Sequence, residues 1–368
     1  MVRARREPEP QSRLSTDPEA LYIIRAMLKL SVLDQSTAAH GHAQDQAIRD
    51  TVALAQLCEE LGYARFWVSE HHNHPTIVGT APEIVMAAIA QVTKRIRIGS
   101  AGVMLPHYAP LKVAEQFRVL DALAPGRIDL GLGRAPGSDG KTALALNPNG
   151  MEDAEHFPAN VRDLIAWVSG AELIDGHPFA SLKALPMAET VPEVWMLGTS
   201  DYGASVAAHF GLPYSFAHFI TDGGGVARAL DIYRANYQPS ERHPKPRANL
   251  CVWALAAETD AEAERLFWPR AYWKLMRGRG GLRALISPDE AAAHPYSDSD
   301  LRFIAELRAN ALIGSAARVG DMLRQLAERE KLDEIVILTW AHDQADRRRS
   351  FELLAREFGL GGLTAVAP

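Results

Sequence analysis

The stretches Val68-Ser-Glu-His-His72 and Ile98-Gly-Ser-Ala-Gly-Val-Met-Leu-Pro106 both place polar or small residues where an apolar run ends. The apolar residues in front of them are typical of short buried strands, and the sequence between them is typical of a helix. In a parallel α/β barrel the C-terminal ends of all strands meet at one face, and active sites form there. These stretches therefore predict a barrel with a functional site at that face.

The alternation of strand and helix continues along the chain. Predicted strands, each followed by a predicted helix, cover residues 28–33, 64–69, 95–99, 126–133, 193–197, 214–218, 250–256 and 334–338. Residues 135–160 and 170–192 interrupt this order with glycine and proline, and residues 268–310 are predicted to form a helical, loop-rich insertion. The pattern predicts an α/β protein, a single (β/α)8 TIM barrel at residues 28–368, with insertions at its C-terminal face.

Residues 1–27 differ from the rest in composition. Arg, Glu, Pro, Gln and Ser dominate residues 1–17, and few apolar residues are present there to stabilise a fold. The segment also lacks the apolar stretch of a secretory signal. We therefore expect a disordered N-terminal tail.

Composition excludes several classes of protein. The 368 residues are 47% hydrophobic, which suffices for a large core, and the formal net charge of -6 offers no basic surface for nucleic acid. No apolar run approaches the length of a membrane span. Cys58 and Cys251 lie far apart without metal-ligand spacing, so we expect buried thiols in a cytoplasmic protein.

One candidate anion site follows the fifth predicted strand. Gly198, Thr199, Ser200 and Gly203 lie where that strand turns into a helix. Free backbone N–H groups at a helix N-terminus suit a phosphate, and the two hydroxyls add donors. The alternative is an ordinary serine or threonine N-cap, and the residues of this turn do not decide between the two.

Arg134 ends the fourth predicted strand and is the second element of this anion site. A guanidinium at the mouth of a barrel can bind a phosphate through two parallel hydrogen bonds. It could instead form a structural ion pair with Asp139 or Asp121.

Ser100, Ala101 and Gly102 follow the third predicted strand. Such small side chains would let a flat ring system lie directly against the backbone. They could equally serve close packing at the rim of a barrel.

Glu70, His71, His72 and His74 form a polar cluster after the second predicted strand. A metal site is one interpretation, but neighbours on an extended segment point to opposite sides and no second cluster completes the ligand set. We favour His71 as a general acid or base, since the ordinary pKa of histidine lies near neutral pH. A hydrogen-bonded structural histidine is the remaining alternative.

Aromatic side chains gather near the ends of the last four predicted strands. Such a wall suits a planar apolar ligand, although some of its members must simply fill the barrel. The group comprises Trp195, Phe216, His218, Phe219, Trp253 and Trp340.

Together these motifs resemble the bacterial luciferase-like family of flavin-dependent monooxygenases. The resemblance covers the chain from Leu28 onward, and the motifs occur in the family's order. The stretches that carry it are residues 30–36, 67–72, 99–106, 111–117, 125–137, 195–203 and 211–213.

The resemblance implies roles for individual residues. His71 matches the histidine that lies near the flavin ring and assists proton transfer, and the Ala101–Gly102 bond matches a cis peptide that supports the ring. Arg134 matches the arginine that contacts the flavin phosphate. Gly133 stands where the luciferases carry a reactive cysteine, so thiol chemistry is not expected. Thr199, Ser200, Gly203 and Ala204 match the phosphate-binding turn and the start of its helix.

The resemblance also implies a reaction. Reduced FMN and O2 would insert oxygen into a small carbonyl or aromatic substrate of unknown identity. Because no dinucleotide-binding glycine motif is present, a separate reductase would supply the reduced flavin. The family further implies a homodimer. Two alternatives stay open, namely a deazaflavin-dependent oxidoreductase and a non-catalytic flavin-binding protein.

Overall fold

The computed structural model describes residues 28–362. The predicted tail at residues 1–27 lies outside the described residues, as do residues 363–368. Within the described part, ten strands form one parallel sheet: β1 Lys29–Asp34, β2 Arg65–Val68, β3 Arg97–Ser100, β4 Val103–Met104, β5 Ile128–Gly133, β6 Glu193–Gly198, β7 Tyr214–Phe216, β8 Ala248–Ala257, β9 Leu312–Ser315 and β10 Glu334–Leu338.

The sheet closes into a barrel because β10 pairs in parallel with both β1 and β8. Leu338 of β10 lies opposite Leu33 of β1 on one side and opposite Trp253 of β8 on the other. Eight of the strands in residues 28–362 form the ring, while β4 pairs beside β5 and β9 extends the far end of β8. The prediction of a (β/α)8 barrel is confirmed.

Helices surround the ring and extend its C-terminal face. They are α1 Gln44–Leu61, α2 Pro82–Val92, α3 Pro110–Leu123, α4 Gly140–Leu146, α5 Gly150–Glu155, α6 Phe157–Ser169, α7 Asp201–His209, α8 His218–Thr221, α9 Val226–Ala235, α10 Asp260–Gly278, α11 Pro288–Ala292, α12 Asp298–Ala309, α13 Ala316–Glu330 and α14 Gln344–Glu357. None of the helices in residues 28–362 is long and apolar enough to cross a membrane.

Two hydrophobic cores follow from the alternation of side chains along each strand. Val32 and Phe66 belong to the core between the strands and the helices. Their neighbours Leu33 and Trp67 belong to the core inside the barrel. Each strand packs against helices on one face and against the barrel interior on the other, so both faces carry apolar side chains. For this reason the strand sequences are continuous apolar runs and do not alternate between apolar and polar residues.

A network of charges closes the N-terminal end of the barrel. Arg65 pairs with Asp129 at 2.7 Å, Glu193 at 3.1 Å and Glu334 at 2.9 Å. The Trp67 indole N–H donates to Asp129 at 2.9 Å. These groups are buried or nearly so, and each carboxylate has several partners, as a buried charge requires. The polar layer therefore seals one end, and the cavity lies at the other.

The insertions differ from the predictions in three places. Residues 135–160 contain two short helices, α4 and α5, whereas 170–192 contain neither helix nor strand, as expected. The helix α10 runs from Asp260 through Pro269 to Gly278 and so extends without a break into the insertion predicted at residues 268–310. The strand β9 was not predicted; its four residues lie just after the insertion predicted at residues 268–310.

Candidate active site

A cavity of about 530 Å³ opens at the C-terminal ends of the barrel strands. Eight of the nine predicted site residues line it: His71, Ala101, Gly102, Arg134, Gly198, Thr199, Ser200 and Gly203. Ser100 is the exception. Its hydroxyl is fully buried and bonds to the carbonyl and the N–H of Gly131, each at 3.0 Å, so it fixes β3 to β5 beneath the cavity wall.

One end of the cavity is polar and lies at the start of α7. Ser200 is the N-cap of that helix, and its hydroxyl accepts from the Gly203 N–H at 3.5 Å. The alternative of an N-cap therefore holds for Ser200, and because this bond is long the same turn can also bind an anion. Asp201 lies in the first turn, where its carboxylate is paired with Arg228 at 2.7 Å.

Arg134 lies at this polar end. Its guanidinium stacks over the Tyr202 ring at 4.4 Å, and its Nε donates to the Ala154 carbonyl at 3.3 Å. Neither predicted structural partner holds it: Asp139 caps α4, and Asp121 accepts from Thr190 and the Gly126 N–H. No carboxylate in residues 28–362 pairs with this guanidinium, so its charge is available to an anionic ligand.

The other end of the cavity is lined by backbone and small side chains. The peptide bond between Ala101 and Gly102 is cis, as the resemblance implied. A Cβ on Gly102 would lie 2.8 Å from the Gly131 carbonyl oxygen, so only glycine fits there. Packing against β5 therefore requires this glycine, and Ala101 and Gly102 are the small residues that line the cavity here.

His71 lies at the same end and is partly buried. Its Nδ1 is 3.3 Å from the Ser69 hydroxyl, and its backbone N–H donates to the Gly79 carbonyl at 2.9 Å. Burial, with the charges of His74, His72 and Arg277, lowers the pKa of His71 from 6.5 to about 4. The ring is therefore neutral at pH 7 and can accept a proton.

Glu70 has a structural place in this segment. Its buried carboxylate accepts from the Tyr108 hydroxyl at 2.7 Å and the Met104 N–H at 3.1 Å, and it pairs with His72 at 2.8 Å. Within residues 28–362, no group of three or more His, Cys, Asp and Glu side chains could hold a metal ion. The polar cluster thus orders the loop that carries His71.

The predicted aromatic wall is only partly present. Phe219 lines the cavity, but Trp195 is buried inside the barrel against Trp67 at 5.1 Å. Phe216 belongs to the outer core, because odd and even positions of a strand face opposite sides. Trp253 and Trp340 line neighbouring cavities.

Several lining residues escaped sequence reasoning, among them Tyr202, Ser215 and Cys251. Burial raises the pKa of the Cys251 thiol well above its usual value, so this thiol is unreactive. The Ser215 hydroxyl is buried and has no hydrogen-bond partner among the described residues. A buried hydroxyl without a hydrogen-bond partner lowers the stability of the fold unless a ligand supplies the missing bond. The position of Ser215 in the cavity wall suits a ring with polar atoms at its edge, such as a flavin.

Comparison with known proteins identifies the family. Residues 28–331 match the family model for luciferase-like monooxygenases. In Bacillus subtilis (strain 168), the uncharacterized protein YwcH is 41% identical over 90% of this chain and 99% of its own length. An N-acetyl-S-alkylcysteine monooxygenase of the same organism is 34% identical over 89% and 98%. The solved structure of apo-MsnO8 is 36% identical, with a TM-score of 0.82 over 91% of this chain and 99% of that chain.

More distant structures share the fold. The oxygenating constituent of 3,6-diketocamphane monooxygenase from Pseudomonas putida, in complex with FMN, has a TM-score of 0.68 at 19% identity, covering 90% of this chain and 97% of that one. An F420-dependent secondary alcohol dehydrogenase has a TM-score of 0.62 at 14% identity, covering 90% and 99%. The family match spans most of the sequence, and the relatives are similar over their full length. The chain therefore belongs to the luciferase-like monooxygenase family and is an oxidoreductase.

Proposed function

We propose that this protein is an FMN-dependent monooxygenase that uses reduced FMN and O2 to oxygenate a small organic substrate. In this reaction one oxygen atom enters the substrate, the other leaves as water, and reduced FMN supplies two electrons. The observation that carries the proposal is the single cavity that joins an anion-binding end at Arg134 to a ring-sized wall beside His71. When bound, the flavin supplies the redox chemistry, and the protein supplies binding, orientation and proton transfer.

The polar end would hold the FMN phosphate. Arg134 carries the free positive charge, and the start of α7 adds the N–H groups and hydroxyls of Thr199 and Ser200. Gly198 and Gly203 leave the approach open, because a Cβ on either would meet only ordinary contacts at 3.7 Å or more. Charge-assisted bonds of this kind are the strong part of phosphate recognition.

The other end would hold the isoalloxazine ring. Ala101 and Gly102 form one wall, and the Ser215 hydroxyl offers the ring a hydrogen bond that it cannot make elsewhere in the described residues. The lining of the cavity is mostly apolar, and a ring bound there would displace water from the reacting atoms.

His71 would exchange the proton that the reaction requires. Because its ring is neutral near pH 7, it can take a proton from the substrate or the flavin and return it after oxygen transfer. The Ser69 hydroxyl at Nδ1 orients the ring, and it leaves the second nitrogen for the reacting group.

Phosphate recognition gives a direct test. We expect Arg134→Gln to weaken FMN binding by about tenfold or more, since a hydrogen bond to a charged group is worth about 1.5–3 kcal/mol. Riboflavin, which lacks the phosphate, should bind both proteins equally. Arg265→Gln, on the exposed side of α10, is the matched control and should leave both affinities unchanged.

The oxygen reaction gives the second test. Protein carrying anaerobically reduced FMN is mixed with O2, and flavin reoxidation and H2O2 release are followed beside a free-flavin control. Slower reoxidation that depends on His71 supports the proposal. Binding without any effect on reoxidation would favour a flavin carrier, and binding of a deazaflavin in place of FMN would favour the deazaflavin-dependent alternative.

We further propose a homodimer, supplied with reduced FMN by a separate reductase in the cytoplasm. Ile84 on α2 is 67% exposed, and Val119 and Leu123 on α3 are 49% and 47% exposed. Gln116 bonds to Glu83 at 3.2 Å, so the two helices lie side by side, and we propose that these exposed apolar side chains contact the second copy. A monomeric mass by light scattering would refute the dimer, and full turnover with NADH and FMN alone would refute the separate reductase.

A further inference from the structure

A second chamber of about 430 Å³ adjoins the flavin cavity. The segment after β2 forms one side of it, and α10 forms the other. The two cavities share as walls Gln35, His71, Ala135, Gly137, Phe219 and Ile220. A ligand in the second chamber therefore lies beside His71, where a substrate must reach the flavin.

The helix α10 presents a row of cations to this chamber. Arg270, Lys274 and Arg277 all line it, and their spacing of four and three residues places them on one face of the helix. Of these, Arg270 is buried, and burial lowers its pKa to about 9, so it remains charged at pH 7.

A single carboxylate balances two of these cations. Asp222 pairs with Lys274 at 2.9 Å and with Arg270 at 3.5 Å. Both cations also donate to the Phe219 carbonyl, at 3.2 and 3.3 Å. They are therefore occupied in holding the segment around α8 against α10.

Arg277 has no such partner. No carboxylate in residues 28–362 forms an ion pair with it, and its guanidinium contacts the Trp273 ring at 5.6 Å. Arg277 lines the chamber, and its positive charge contributes to lowering the pKa of both His71 and His74. An anion in the chamber would therefore meet a positive charge that nothing in the described chain neutralises.

The remaining walls define what else the ligand carries. Asp139 is the one acidic lining residue, and its carboxylate is taken up by the Lys141 N–H, the Thr142 N–H and the Thr142 hydroxyl. Indole and aliphatic groups of Trp273, Trp340, Ile77 and Leu282 form an apolar part of the wall, and uncharged polar side chains such as Gln35, Asn73 and Ser138 also line it. Such a surface suits an apolar or aromatic frame that carries one negative charge.

We propose that this chamber binds the carboxylate of a small, partly apolar organic acid, that Arg277 is its ion-pair partner, and that this contact directs the other end of the substrate to the flavin cavity. This inference deepens the proposed function and rests on it. Arg277 is thus a specificity-determining residue, because the planar guanidinium matches a carboxylate and does not match its amide.

The test compares phenylacetate with phenylacetamide, which share a frame and differ in charge. Their binding to the flavin-free, full-length protein is measured by calorimetry and by the fluorescence of the chamber tryptophans. We expect phenylacetate to bind about tenfold more tightly than the amide, and Arg277→Gln to remove this preference. Arg277→Lys should keep part of it, and Arg265→Gln, outside the chamber on the same helix, should keep all of it. Thermal unfolding confirms that each variant is folded.

Four results decide the outcome. Equal binding of acid and amide by the wild type, or a preference that survives in Arg277→Gln, overturns the proposal. So does weaker binding of FMN, but not of riboflavin, by Arg277→Gln, since the chamber would then hold the cofactor phosphate. If the acid is preferred through Arg277 but reduced FMN does not bind, the anion site stands and the proposed monooxygenase falls.

Discussion

The protonation of His71 gives a prediction that needs no substrate. Desolvation by burial is the largest cause of its lowered pKa, and His74, His72 and Arg277 add to it. In the unfolded chain the ring titrates near its ordinary value of 6.5, whereas in the folded protein it titrates at about 4. Between these two values the unfolded state binds a proton that the folded state does not bind, so acid favours unfolding.

The size of this effect follows from linkage. Relative to acid conditions, the folded state has its full stability above pH 6.5, where His71 is neutral in both states. That stability is lost as the pH falls towards 4, because only the unfolded chain then binds the proton readily. With these two pKa values, His71 costs the folded state about 2 kcal/mol between pH 7 and pH 5. The His71 side chain is only partly buried, so solvent screens its interactions. We therefore expect a change in the free energy of unfolding of about 1–2 kcal/mol.

The assay is urea unfolding of the wild type and of His71→Gln at pH 7 and pH 5. Other titrating groups are shared by the two proteins, so the change in the difference between their free energies of unfolding isolates His71. We expect His71→Gln to gain about 1–2 kcal/mol relative to the wild type on going to pH 5. Parallel pH curves would show that His71 protonates normally in the folded protein, and the lowering of its pKa by burial would then be refuted.

Three further predictions concern stability and binding. Asp34→Ala leaves the buried guanidinium of Arg347 without its carboxylate, so it should lower the free energy of unfolding in urea by about 3–5 kcal/mol; a loss below about 1 kcal/mol would contradict this. Gly102→Ala places a Cβ 2.8 Å from the backbone oxygen of Gly131 and should lower the thermal midpoint, whereas an unchanged midpoint would mean that the wall can move. Ser215→Ala removes a buried hydroxyl without a partner, so it should raise the midpoint of the flavin-free protein while weakening FMN binding; an unchanged FMN affinity would remove Ser215 from the site.

The sequence could predict those parts of the site that one short segment builds by itself. In residues 196–203 the strand end, the turn and the start of α7 are consecutive, so local pattern alone brings Thr199 and Ser200 to the cavity. The same holds for Ala101 and Gly102, which follow β3 directly. Local geometry is what periodicity and turn signals report.

Features that depend on distant contacts could not be predicted in this way. Pro269 favours a helix end because it removes one backbone bond at a cost of about 3 kcal/mol. In the structure α10 continues through it, since Leu266, Phe267 and Trp273 bury the same helix against the barrel. Tertiary packing overrides the local signal, and this continuation carries Arg277 to the second chamber.

Ser215 illustrates a different limit. It lies in β7 between Tyr214 and Phe216, and a strand so short does not reveal from its sequence which face is which. The register with β6 and β8 decides that Ser215 faces the cavity while Phe216 faces the helices. The aromatic wall was misjudged for the same reason.

The cluster of Glu70, His71 and His72 shows how a metal-like motif can serve another purpose. The carboxylate of Glu70 is fully engaged by His72, Tyr108 and the Met104 backbone, and it is therefore turned away from His71. A carboxylate beside His71 would favour its protonated form and raise its pKa. Adjacent residues of the loop face opposite sides. His72 can therefore anchor the loop through Glu70 while its neighbour His71 has no ion-pair partner within residues 28–362. The arrangement that makes the loop rigid is thus the same one that keeps His71 neutral and able to accept a proton.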